Sequence, residues 1–176
     1  MLPPIPYNGV LRPTLMLIGM AAMFLLLQRT HGKPYYGRLL RASVGIYLLF
    51  LLYATLFSRT AREEYSYRVE PLIMLRQAFT VGNGIKLENP QALEGIVVNL
   101  LLTLPIGYLL PQLLPLTAVR AVLLGAGVSL CIELIQLITR LGMFELDDLI
   151  YNTLGVALGY GLLVCMEKRT GERLRR

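Results

Sequence analysis

Long apolar runs, separated by short charged segments, constrain this chain more than any other feature. In hydrocarbon, every backbone N–H and C=O must be satisfied within a helix or a closed barrel. A run of roughly 20 apolar residues has the length of a spanning helix and is twice that of a spanning strand. The expected fold is therefore all-α: a polytopic transmembrane helical bundle. Composition agrees, with 16% charged residues and a mean hydropathy of +0.58, where a soluble domain carries about 25% charge.

One domain over residues 1–176 is expected, with about five spans, near 11–27, 39–57, 93–114, 119–138 and 148–166. Pro13 suits the first turn of the first span. A small basic flank without a small-residue cleavage site marks that span as a retained helix rather than a signal peptide. The stretch Pro71–Phe79 is apolar but too short to cross, which fits an interfacial or re-entrant helix. Val81-Gly82-Asn83-Gly84 is a turn signal. Pro105-Ile106-Gly107 interrupts the third span, where proline removes a hydrogen bond. The connections Leu116–Arg120 and Thr139–Asp147 are short, so the last three spans run antiparallel.

Charge excludes several classes. The net charge is +6, yet no basic run is interleaved with aromatics, so nucleic acid is not an expected partner. The single histidine, His31, rules out a multi-histidine zinc site. Cys131 and Cys165 fall within apolar helices and read as small buried hydrophobes rather than a disulfide. No cofactor is implied. Arg29, Lys33, Arg38, Arg41 and the basic tail oppose the charge-balanced Arg59–Leu93 segment. The positive-inside rule then places the N-terminus outside and the C-terminus inside.

Against this background, polar residues deep in the apolar runs stand out. Glu133, Gln136 and Arg140 recur at i, i+3 and i+7, on one helix face. Asp148, Asn152, Gly155 and Gly159 do the same on the next helix. An ionised group at membrane depth costs several kcal/mol unless paired or wet, and such groups usually face the bundle interior. Glu133 and Arg140 lie about 10.5 Å apart along the axis, which allows an ion pair with Gln136 as a bridge. Asp147 and Asp148 read as first-turn acids of the fifth span. Asn99 and Thr103 are placed to hydrogen-bond across to the fourth or fifth span. Gly155 and Gly159 suit close helix packing. With antiparallel spans, Arg59, Asn99, Glu133, Gln136, Arg140, Asp147, Asp148 and Asn152 converge at one end of the bundle, the outward one in this orientation. These eight form the expected binding site.

The runs Asn99–Tyr108, Glu133-Leu134-Ile135-Gln136 with Arg140, and Asp147–Gly155 with Gly159-Tyr160 resemble the VanZ-like family. Glu70-Pro71-Leu72-Ile73-Met74-Leu75 is similar to that family's upstream segment, with Glu70 in place of an asparagine and Met74 near an expected aromatic. The resemblance covers about Ser58 to Tyr160. It implies a multi-pass protein of the bacterial cytoplasmic (inner) membrane and cell envelope. The family is named for a protein that lowers sensitivity to the lipoglycopeptide antibiotic teicoplanin without remodelling cell-wall precursors. The implied partners are membrane lipids, a lipoglycopeptide or a cell-wall precursor, and a homo-oligomer is open.

Three functional readings follow. The first is a non-enzymatic protein whose outward polar pocket binds an amphiphile or lipid headgroup. The second is a membrane-embedded enzyme on lipid-linked phosphate or acyl groups, with Glu133 and Asp148 as acid and base. In that reading Glu133, Asp147 and Asp148 can also hold a hard divalent cation. The third is a small transporter, which the lack of internal repeats disfavours.

Overall fold

The computed structural model describes residues 11–57, 61–81 and 84–170. They form helices α1 (Leu11–Thr30), α2 (Tyr36–Leu52, continued by a π-helical turn Tyr53–Phe57), α3 (Ile73–Ala78), α4 (Pro90–Leu113), α5 (Ala118–Thr139) and α6 (Leu146–Thr170). Among the described residues, four helices are long and apolar enough to cross a membrane: Tyr36–Phe57, Pro90–Leu113, Ala118–Thr139 and Leu146–Arg169. Thr14–Thr30 is a shorter apolar helix. The expected all-α bundle is what forms.

Local sequence sets the helix ends. Asn89 accepts hydrogen bonds from the Gln91 and Ala92 amides, and Pro90 opens α4 without needing a donor partner. Thr117 caps α5 through the Arg120 amide. At its other end α5 stops at Arg140, whose left-handed backbone (φ 58°) turns the chain.

Beside an apolar core that includes Leu27, Leu109 and Val156, burial departs from that of a soluble protein in two ways. Leu49, Ile46, Val119, Leu123, Ile138 and Leu158 are exposed, while Glu133, Gln136, Asp147, Asp148, Asn152 and Ser129 are buried. Apolar residues facing outward suit lipid, and polar ones must then be satisfied inside. Cys131 and Cys165 follow the same logic and correct the expectation of burial. Both are exposed free thiols on the outer faces of their helices.

The tightest packing joins α4 to α6. A Cβ at Gly107 would overlap the Val156 carbonyl oxygen, and one at Gly159 the Leu104 carbonyl oxygen. Gly155 meets Leu100 and Thr103 in the same way. Lipid gives helices no hydrophobic drive to associate, so backbone approach through small residues does that work. The Thr103 hydroxyl donates across the seam to the Asn152 carbonyl at 2.7 Å, which bears out the expected cross-span bond.

At the other side of α4, Pro105 has no N–H for the preceding turn, and the Tyr47 hydroxyl of α2 donates to the nearby Leu102 carbonyl at 2.7 Å. Elements between the spans were only partly foreseen. The 71–79 stretch becomes α3, followed by a hairpin of β2 (Phe79–Val81) and β3 (Ile85–Leu87). Gly82 and Asn83, in the expected turn, lie outside the described residues. A short parallel pair, β1 (Tyr67–Arg68) with β4 (Phe144–Glu145), ties the long loop to the α5–α6 connection.

Candidate functional site

Of the residues expected to converge at one end, Asn99, Glu133, Gln136, Asp148 and Asn152 are brought near one another there, in two layers. A cavity of about 890 Å³ opens there, with Thr55, Arg62, Asn99 and Glu145 as its polar wall. Its apolar floor includes Leu15, Met16, Phe50 and Leu102. Among the expected site residues that are described, only Asn99 lines it. Glu133, Gln136, Asp148 and Asn152 sit behind the wall, each less than 9% exposed.

Three of the buried residues each fix one wall residue. The Glu133 carboxylate accepts the Glu145 backbone N–H at 2.9 Å. Gln136 donates from Nε2 to the Thr55 carbonyl at 2.8 Å. Asp148 accepts from Asn99 Nδ2 at 2.6 Å. Two of the three acceptors are carboxylates, which bind a donor more strongly than neutral oxygens do, so these contacts hold the cavity mouth in shape. Thr55 lies in the π-helical turn, a local widening that recurs at functional sites. Its hydroxyl donates to the Leu51 carbonyl.

The fourth, Asn152, spans from α6 to α5. Its Nδ2 donates to Ser129 Oγ at 2.9 Å, and its backbone carbonyl takes the Thr103 hydroxyl. Ser129 and Asn152 thus lock α4, α5 and α6 together below the cavity. The Gln136 Oε1 and Asn152 Oδ1 atoms are buried without a hydrogen-bond partner.

Two expectations are corrected. Arg140 does not pair with Glu133. The left-handed turn at Arg140 takes it off the helical face, and its guanidinium donates to the Glu63 carbonyl and stacks over the Tyr65 ring. Its own carbonyl receives the Arg62 amide at 2.8 Å. Asp147 stands in the first turn of α6 as expected, but its carboxylate does not cap that helix. Its carboxylate accepts the amides of Leu72 and Met74, capping the start of α3 from far along the chain. Leu72 is left-handed (φ 58°), a conformation costly for a branched residue, and Asp147 holds it there.

The divalent-cation reading loses its geometry for a related reason. Glu133, Asp147 and Asp148 face different partners, and among the described residues no three His, Cys, Asp or Glu side chains are grouped to hold a metal ion. Arg59, an expected site member, lies outside the described residues.

Sequence reading missed Thr55, Arg62, Ser129 and Glu145. Ser129 carried a signal: it precedes Glu133 by one helical turn on the same face. Arg62 and Glu145 sit in connections with no periodicity to place them. Arg62 donates to Ser66 Oγ at 3.1 Å, and Glu145 pairs with Arg68 at 3.0 Å.

No curated protein and no solved structure matches the chain. Residues 44–167 match the family model described as VanZ/LLP1.

Proposed function

The chain belongs to the VanZ/LLP1 family, and from that premise we propose that it is a non-enzymatic protein of the bacterial cytoplasmic membrane. Its polar end faces outward, and the cavity there binds the head of an amphiphile. By doing so it lowers sensitivity to lipoglycopeptide antibiotics, whose acyl tail lodges in the outer leaflet. The observation that carries this reading is the layering of the site. Glu133, Gln136 and Asp148 hold Glu145, Thr55 and Asn99 around an open cavity that also contains Arg62.

Buried polar groups that orient others are a costly arrangement in a membrane. Pre-organisation of a polar mouth over an apolar floor is what an amphiphile site requires. Arg62 supplies the positive charge for an anionic head, and Asn99, its amide nitrogen taken by Asp148, has its amide oxygen left to accept from a hydroxyl or N–H.

The test is lipoglycopeptide susceptibility of cells expressing wild type, Asn99→Ala and Arg62→Glu at matched membrane levels. Protection by the wild type and its loss in both variants is expected. Variants that protect as well as the wild type would remove the cavity from the mechanism. A wild type that does not protect would remove the antibiotic phenotype.

A further inference from the structure

Beside the polar cavity lies a second one, and the two share part of their walls. It has a volume of about 480 Å³ and runs between α1 and α2 over a floor of α4. Leu15, Met16, Phe50 and Leu102 line both cavities. The second one is almost wholly apolar, with Gly19, Met20 and Met23 on the α1 wall, and Ser43, Ile46 and Tyr47 on the α2 wall. Leu15, Leu26 and Ile46 at its rim are exposed, so the groove opens sideways, toward the lipid that surrounds such helices.

From Leu15 to Leu26 the α1 wall extends about 16 Å at 1.5 Å per residue. That is close to half of a ~30 Å hydrocarbon core, the depth of one leaflet. At the end that shares Leu15, Met16, Phe50 and Leu102 the groove adjoins the cavity lined by Arg62 and Asn99. We infer that this groove is an acyl-chain slot, and that the two cavities together take one anionic amphiphile that enters sideways from the leaflet, head against Arg62 and tail between α1 and α2. The inference rests on the head-binding reading above and adds the tail.

Physical chemistry fixes what the slot can select. A tail gains no transfer energy by leaving lipid for an equally apolar groove. Selection must come from fit, and two features serve it. Met16, Met20 and Met23 are unbranched thioethers that adapt to an irregular chain. Gly19 leaves open space, since a Cβ there would meet nothing within 4 Å. The same openness makes the slot easy to plug without disturbing the fold.

The experiment uses the full chain in nanodiscs doped at equal mole fraction with short- and long-chain lysophosphatidylglycerol. Bound lipid is read by native mass spectrometry, and a diazirine at the end of the long chain reports its neighbours. The wild type is expected to enrich the long chain about tenfold over the short one, equivalent to about 1.4 kcal/mol, and to crosslink within 19–26 or 43–47. Gly19→Phe, and Ser43→Leu from the opposite wall, are expected to cancel that enrichment and the crosslink while short-chain binding persists. Arg62→Glu is expected to lose both chain lengths. Full enrichment in both plugged variants overturns the slot and leaves the head site standing. No binding of either chain length by the wild type overturns the head site and the slot together.

Discussion

The two sides of α4 are built on opposite principles. Toward α6, backbones touch through Gly107, Gly155 and Gly159, Thr103 bonds to Asn152 across the seam, and Asn152 in turn bonds to Ser129 of α5. Toward α1 and α2, side chains stand apart and leave two adjoining cavities, and the Tyr47 hydroxyl reaches the Leu102 carbonyl across the gap. One side is a frame with no room for a methyl group, and the other is an open groove. The difference teaches where adaptability is allowed. A polar mouth stays aligned only if the helices bearing Asn99, Glu133 and Asp148 cannot shift, so rigidity on one side is what permits looseness on the other. The family match begins at Val44, so the frame and the cavity mouth fall within it, while the α1 wall of the groove falls outside.

The sharpest way to break this contrast is to add one methyl on each side. Gly159→Ala drives a Cβ into the Leu104 carbonyl, and backbone cannot yield as a side chain can. A loss of about 3 kcal/mol or more is expected, read as a large fall in the thermal unfolding midpoint in detergent. Gly19→Ala meets open space and is expected to change stability by less than about 0.5 kcal/mol. Equal effects at the two positions would erase the distinction.

A smaller effect separates the frame from the surface elements it carries. Asp147→Ala removes the acceptor for two amides at the start of α3. The expected cost is about 2 kcal/mol, confined to that element. Hydrogen exchange of the Leu72–Ala78 amides should accelerate while α5 amides hold their protection. Global unfolding instead would place Asp147 within the frame.

Gln136→Leu leaves the Thr55 carbonyl unpaired, but it also deletes an amide oxygen that has no partner. The two terms offset in part, and a net loss of about 1 kcal/mol is expected. Headgroup binding should weaken more than that stability change suggests, because the π-helical turn borders the cavity. Ser129→Ala is the mildest, at about 0.6 kcal/mol, the usual size of an interhelical hydrogen bond in a membrane, with lipid binding unchanged.

The sequence by itself determined the class of fold and the end of the molecule where polar groups gather. Apolar runs of bilayer length admit only helices, short connections make neighbours antiparallel, and the alignment of Glu133 with Gln136 and of Asp148 with Asn152 follows from helical period alone. The glycine spacing of Gly155 and Gly159 likewise announced close packing, although not that α4 was the partner. Tertiary structure decided which polar residues face the cavity and which stand behind it. Helical period gives a direction within one helix, but it cannot say which other element occupies that direction. Asp147 therefore read as a first-turn acid of its own helix, which it is, with no sign that its carboxylate would cap α3. Arg140 read as a partner for Glu133 until a left-handed turn took it off the face. Arg62 and Glu145 come to the cavity through a two-residue parallel strand pair and loop hydrogen bonds, contacts between distant segments that leave no periodic trace in the chain.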